Sequence, residues 1–402
     1  MYYRGHDIKI KRKENDVFAS ENIIKGYRHI MKERNNLLMK KLDYYFGIPL
    51  LYILGIFHKK HNLPNLTNKN EKYCFALLKT AAIGDTILIS AIIRELKFQY
   101  PCSRIVFVCS KNNAAMVKLL NNIDDVHVFN MAKPISSLLA LKKITNVDVI
   151  LDFAPWTRIN GVISWMIEAK YKVGFKRKNM HRHYIYDKWI EHRDDQHELE
   201  NYRAILMTLN ISIQKYIPQI IPQRQFDVFK FIHDKYIVFH LFPGGASAFL
   251  RSWPDERWIE LGERIYLQYG YIIVLTGGQE DIQHANRIVN EFNKHDVETI
   301  SLAGKVSLDE LNCVLRQSEL LVTINTGIMH LGAAVDIPLI ALHGATNYKR
   351  WGPISDKAVI LQSGEKCQPC ISLGFESKCQ HPTCMQNITV DMVFEKIKYI
   401  LS

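Results

Sequence analysis

Over residues 320–342 the chain runs from a short apolar stretch, through the turn Asn325-Thr326-Gly327, into the helix-like GIMHLGAA and on to a second apolar stretch at 337–342. Two apolar runs this short, joined by one helix's worth of chain, predict a strand–helix–strand unit of a buried parallel sheet. The turn that opens such a helix leaves backbone N–H groups unpaired at the positive end of the helix dipole, where a diphosphate can sit. Thr326 and Gly327 carry little side chain and let a ligand approach the backbone. His330 follows about one helical turn later, on the same side.

The same rhythm recurs along most of the chain. Apolar runs at 73–79, 105–109, 126–129 and 147–153 alternate with helical spacing at 86–100 and 114–120, and Pro101 stops the first of these helices. A helix is expected within HELENYRAILMTL, and Pro218 and Pro222 then mark a hinge. A second series follows, with strands at 236–241, 271–276 and 299–303 and helices at 253–269, 282–292 and 308–317. A chain of 402 residues exceeds one ordinary core. The expectation is therefore an α/β protein of two Rossmann-like domains facing a deep cleft, at 71–222 and 223–402, behind an extension at 1–70.

That extension holds most of the charge imbalance. The chain carries a net +12, and residues 1–72 contain 15 Lys and Arg against 7 Asp and Glu. Residues 44–57 are uncharged, too few to span a bilayer, which takes about 20 residues, and they contain Pro49. Lys40, Lys41, Lys59 and Lys60 flank them. Aromatics beside basic flanks predict an interfacial element that holds residues 1–61 on an anionic membrane face. No nucleic-acid partner is expected. Residues 1–12 are polar and charged, unlike a secretory signal, and Cys74, Cys102, Cys109 and Cys313 sit in apolar or helical contexts. A cytoplasmic protein, peripheral on the inner face of the membrane, is expected.

Three sets of residues carry chemistry. Ile83-Gly84-Asp85 places a carboxylate at a helix start, where it can cap the helix or act as general base. Phe242-Pro-Gly-Gly-Ala-Ser247, followed by Arg251-Ser-Trp253, offers a flexible backbone, a hydroxyl and a fixed positive charge to a phosphate. Cys367, Cys370, Cys379 and Cys384 have a spacing that suits one structural Zn²⁺, away from the active centre.

The segments TAAIGDTILISAIIRELKFQYP, FPGGASAFLRSWPDERW, LTGGQED and LAGKVSLDELNCVLRQSELLVTINTGIMHLGAA occur in that order, ahead of the cysteine group. Together they resemble glycosyltransferase family 9, the bacterial lipopolysaccharide heptosyltransferases, over roughly residues 73–395. The resemblance implies the GT-B architecture and transfer of a sugar, commonly heptose from ADP-heptose, with inversion and without a metal or other catalytic cofactor. It implies Asp85 as catalytic base. It also implies Ser247, Arg251, Thr326, Gly327 and His330 around the donor, with Val306 beside the adenine and Glu280 near the ribose. Asn325 stands where the family usually has Asp, which bears on the identity of the donor sugar. The implied partners are a nucleotide-sugar donor and a lipid-linked saccharide acceptor, such as the lipopolysaccharide core. The basic residues Lys176, Arg177 and Arg182 either meet acceptor phosphates or belong to a solvated surface loop. Two other readings remain open on sequence: transfer of a different nucleotide sugar in O-antigen or capsule assembly, and an inactive nucleotide-sugar-binding membrane protein. A nucleotide-sugar 2-epimerase shares the two-lobed fold, but the Ile-Gly-Asp and Arg-Ser-Trp combination argues against it.

Overall fold

The computed structural model describes residues 43–402 except 224–225, 231, 246–247 and 372–378. The basic arm at 1–42 and Ser247 therefore lie outside the described residues. The described residues begin with a π-helical turn, Asp43–Gly47, and α1 (Ile48–Phe57), followed by the first sheet unit. In order this contains β1 (Cys74–Leu78), α2 (Ile83–Gln99), β2 (Arg104–Ser110), β3 (Asp125–Phe129), α3 (Pro134–Leu141), β4 (Val147–Asp152), α4 (Arg158–Met166), β5 (Ala169–Lys176), β6 (Lys188–Glu191) and α5 (Glu198–Met207). The second unit contains β7 (Tyr236–His240), α6 (Asp255–Tyr269), β8 (Ile272–Leu275), α7 (Ile282–Lys294), β9 (Thr299–Ser301), α8 (Leu308–Gln317), β10 (Leu320–Ile324), α9 (Gly327–Ala334), β11 (Leu339–Leu342), β12 (Ala358–Leu361) and α10 (Val390–Leu401).

Each unit forms one parallel six-stranded sheet. The orders are β3-β2-β1-β4-β5-β6 and β12-β11-β10-β7-β8-β9. Helices cover both faces, so the central strands are buried throughout and read as continuous apolar runs rather than alternating ones. In both sheets the winding direction reverses between two neighbours, β1 with β4 and β7 with β10. Ligands bind α/β sheets outside the carboxyl ends of strands at such switch points. The segments there are 79–85 after β1, 153–157 after β4, 241–251 after β7 and 325–327 after β10.

The two halves touch. One buried apolar cluster joins Ile87 and Leu88 of α2 to Ile328, Met329 and Leu331 of α9. Between the halves, the segment after α5 is pinned rather than loose. Glu95 accepts from the backbone N–H of Gln214 and Tyr216, Ser90 accepts from that of Gln219, and Ile220 N–H donates to the Ala334 carbonyl. The proline-marked stretch thus lies along α2 and α9 and fixes their spacing.

Lys170 and Lys172 belong to β5, a strand that the apolar runs did not mark; Lys170 pairs with Asp148 at 2.7 Å and Lys172 is buried against the Ser164 carbonyl at 2.8 Å. Lys170 and Lys172 interrupt the apolar run of a strand that is buried from Tyr171 to Phe175, so its sequence does not read as one. Within the extension, residues 43–70 pack on the first unit. Leu51 is fully buried with Ile185 and Tyr186, and His58 bonds Asp187 at 3.0 Å.

Candidate active site

Asp85 lies in the first turn of α2, where the helix dipole favours a carboxylate. It does not cap the helix, because Ala82 at the N-cap position makes no side-chain cap and the carboxylate points elsewhere. The Asp85 Oδ1 atom accepts from Lys79 Nζ at 2.9 Å and from the Tyr202 hydroxyl at 2.5 Å. Lys79 also donates to the Tyr202 oxygen at 2.7 Å and to the Phe153 carbonyl at 3.2 Å. Lys79 is buried, and Tyr202, on α5, is fully buried. Burial, followed by the Asp85 charge, holds the Tyr202 phenol well above its ordinary range. It therefore stays a donor. Both bonds reach Oδ1, so Oδ2 has no partner among the described residues. The result is an aimed carboxylate with one oxygen free.

Gly84 and Gly327 explain how the two loops approach. A Cβ on Gly84 would lie 2.7 Å from His330 Cδ2, and one on Gly327 would lie 3.0 Å from Ile83 Cβ. Only glycine at each turn lets the start of α2 meet the start of α9. At that second helix start Thr326 is the N-cap residue and makes no cap bond. Its hydroxyl is buried and unsatisfied among the described residues. Such a group marks a place where a ligand completes the hydrogen bonding.

Arg251, at the end of the 3₁₀ turn Ala248–Arg251, donates to the Asn325 carbonyl at 3.1 Å and to the Gly244 carbonyl. It has no carboxylate partner among the described residues, and burial lowers its pKa. A half-buried guanidinium held only by carbonyls keeps its charge for an anion. Arg251, the Gly244 backbone and the α9 N-terminus thus converge.

His330 lies beside them but not as a cation. Burial first, then the neighbouring His197 and His343, push it down to about 3. A neutral imidazole packed on Gly84 can donate one hydrogen bond and carries no charge. Asn325 donates through its amide to the Trp351 carbonyl at 3.3 Å and contacts His343 at 3.4 Å. An aspartate there could not donate to that carbonyl. The loops bearing Glu280 and Val306 are brought together by Gly304 N–H donating to Gly277 at 3.0 Å and by Gln279 reaching the Gly304 carbonyl. Glu280 is exposed and Val306 half-buried.

The expected acceptor cations are already engaged. Arg182 is buried and pairs with Asp152, the Ala154 carbonyl and the Tyr186 hydroxyl. It is structural, because a fully desolvated ion pair cannot be released to a ligand without a large penalty. Arg177 stacks on Trp156 at 3.5 Å and binds Asp194 through two 2.8 Å bonds. Lys176 lies over Trp189 at 4.2 Å and pairs with Glu191 at 3.6 Å, keeping a partly exposed tip. Asp194 and Glu198 also receive Arg350 from the second unit, at 2.6 and 3.3 Å. This interdomain ion cluster, together with Lys79 and Tyr202, escaped the sequence reading. A lysine closing an apolar strand just before Ile-Gly-Asp was the available signal for Lys79.

Cys384 is buried, and burial followed by the Cys370, Cys367 and Cys379 thiols pushes it up to about 11. Among the described residues no group of three or more His, Cys, Asp or Glu side chains is placed to hold a metal ion. A cavity of about 460 Å³ lined by Asn347, Tyr348 and Gln368 lies near that region rather than at Asp85.

Residues 146–381 match the family described as Glycosyltransferase family 9 (heptosyltransferase). The chain is 31% identical to Lipooligosaccharide heptosyltransferase 2 of Haemophilus influenzae over 161 residues, which cover 40% of this chain and 46% of that one. The chain thus spans about half the length of this curated relative. Among solved structures, the glycosyl transferase family 9 protein of Veillonella parvula superposes with a TM-score of 0.68 at 20% identity, covering 83% of this chain and 99% of that one. The E. coli ADP-heptose lipopolysaccharide heptosyltransferase II superposes with a TM-score of 0.65 at 18% identity, covering 82% and 98%. These likenesses fix the fold as GT-B.

Proposed function

The chain belongs to glycosyltransferase family 9, and on that premise we propose that it transfers a heptose from ADP-heptose, with inversion, to a lipid-linked saccharide of the lipopolysaccharide-core type. The observation that carries the proposal is the meeting of an aimed carboxylate with an anion-ready helix start: Asp85 Oδ2 is open, and Gly84 packs on His330 beside Thr326 and Gly327.

In this mechanism the acceptor hydroxyl gives its proton to Asp85 Oδ2 as it attacks the anomeric carbon from the side opposite the diphosphate. Lys79 and Tyr202 hold Oδ1, so the carboxylate does not rotate away from the acceptor. The C–O bond to the diphosphate breaks, and the leaving charge falls on Arg251, the α9 backbone N–H groups and the Thr326 hydroxyl. These groups stand in for the charge stabilisation that a metal gives elsewhere. His330 contributes position and a neutral donor. Val306 and Glu280 lie on adjoining loops that would border the nucleoside. A lipid-linked acceptor puts the protein to work at a membrane surface, on the cytoplasmic side where the nucleotide sugar is made.

A second donor sugar is favoured by one observation. The Asn325 amide is committed to the Trp351 carbonyl, so a sugar-gripping carboxylate is absent from that turn. The test is nucleoside-diphosphate release from a panel of ADP-, GDP- and UDP-sugars, with and without lipopolysaccharide-core acceptor. Acceptor-dependent ADP release from ADP-heptose alone supports the proposal. Release from another donor reassigns the sugar, and binding without release from any donor refutes transfer.

A further inference from the structure

Two helices far apart in sequence expose apolar side chains on the same face of the first unit. On the N-terminal side, Tyr45 is 67% exposed, Phe46 69%, Ile56 68% and Phe57 72%. Only Leu51 of α1 is buried. On α3, Ile135 is 74% exposed and Leu139 56%. Helices α1 and α3 both pack against α4. The ends of both border one open cavity of about 440 Å³, lined by Phe57, Lys59, His61, Lys142 and Lys172, with one acid, Glu168, among its lining residues. Large exposed apolar side chains grouped on a soluble domain mark an interaction surface.

Charge identifies the partner. Residues 44–61 and 131–147 contain no Asp or Glu, while Lys59, Lys60, Lys133, Lys142 and Lys143 stand exposed around the apolar groups. A second copy seated here would set lysine against lysine. The chain's own residues 1–42 hold 11 Lys and Arg against 5 Asp and Glu, and would also bring like charge. An anionic bilayer satisfies both features, accepting aromatic and aliphatic side chains at the headgroup boundary and pairing the lysines with phosphates.

We propose that α1 and α3 together form a two-part surface that docks on an anionic lipid bilayer, with the lysine-lined notch between their ends seating headgroup phosphates. Docking through α3, more than 70 residues beyond α1, means that the membrane contact belongs to the folded domain and not to the N-terminal extension alone. None of these residues touches Asp85, Arg251 or Thr326, and vesicle binding is read without turnover. The proposal therefore stands or falls separately from the sugar-transfer reading.

The test is co-sedimentation of the full chain with vesicles of 3:1 phosphatidylcholine and phosphatidylglycerol, beside pure phosphatidylcholine vesicles. Wild type binds the anionic vesicles, and binding weakens with salt. Ile135→Glu/Leu139→Glu lowers the partition coefficient on the order of a hundredfold, and Lys142→Glu/Lys143→Glu lowers it about tenfold. Both sites are exposed, so circular dichroism and melting temperature stay unchanged. Full vesicle binding by the α3 variants, or none by wild type, overturns the proposal. So does a wild-type dimer in light scattering that Ile135→Glu/Leu139→Glu turns into a monomer.

Discussion

Replacing Arg350 by Met should uncouple the two halves and destabilise the protein by an amount that the burial predicts. Arg350 is 1% exposed and reaches from the second unit to Asp194 at 2.6 Å and to Glu198 at 3.3 Å on the first. Glu198 is fully buried, and burial alone would push its carboxyl up. The His192 hydrogen bond and charge, with Lys79 and Arg350 behind them, bring it below its ordinary range instead. Removing one member of a buried pair costs about 3–5 kcal/mol, because the other charge stays buried. Here His192 at 2.9 Å and Asn201 at 3.4 Å remain on Glu198, so the lower end, about 3 kcal/mol, applies. For a unit of this size about 2–4 °C accompanies each kcal/mol, which gives a fall in melting temperature of about 6–12 °C. The short helix Tyr348–Trp351 also ends in the carbonyl that receives the Asn325 amide, so donor affinity should fall with it. Calorimetry on Arg350→Met, Glu198→Gln and the double variant reads the coupling directly. A fall below about 2 °C, or strictly additive effects, would refute the assignment of an interdomain latch.

Other outcomes follow from the site. Tyr202→Phe leaves the Lys79–Asp85 pair but frees the carboxylate to turn, so kcat should drop about tenfold with KM nearly unchanged; steady-state kinetics showing a KM effect alone would contradict the positioning role. Gly84→Ala would put a methyl group 2.7 Å from His330, and the resulting shift of Asp85 should lower kcat/KM about a hundredfold without loss of secondary structure. Burial pushes His240 to about 4 and, with its neighbours for His330, both His330 and His343 to about 3, against 6.5 for the free group. The unfolded chain thus binds protons that the folded one refuses, so stability is full above 6.5 and is lost as pH falls below it. The loss is up to about 2 kcal/mol per histidine by pH 5, and melting temperatures flat from pH 7 to 5 would contradict it.

The sheets were legible because strands buried on both faces read as unbroken apolar runs and the glycine turns between them are short. The Ile-Gly-Asp and Asn-Thr-Gly turns were legible for the same reason that they meet: each needs a residue small enough for another backbone to come close. What failed was long-range. Arg182 looked like a surface cation in a basic run, and nothing local reveals that Asp152 lies beneath it. Lys79 closed an apolar run, and nothing local reveals that the Tyr202 hydroxyl, 123 residues away, joins it on Asp85. Lys170 and Lys172 hid β5 because they break the apolar run by which the other buried strands were recognised. The cysteine spacing is compact in sequence, but spacing does not set the direction in which side chains point, and among the described residues no metal-holding group results.

The central claim is that Asp85 takes the acceptor's proton, and isosteric replacement tests it most directly. Asp85→Asn keeps the shape and can still bond Lys79 or Tyr202, but it has no carboxylate to receive a proton. Acceptor-dependent ADP release from ADP-heptose should fall by about a thousandfold or more, while ADP binding measured by calorimetry stays within about twofold. Turnover by Asp85→Asn within about tenfold of wild type would contradict the account and remove Asp85 from the chemistry.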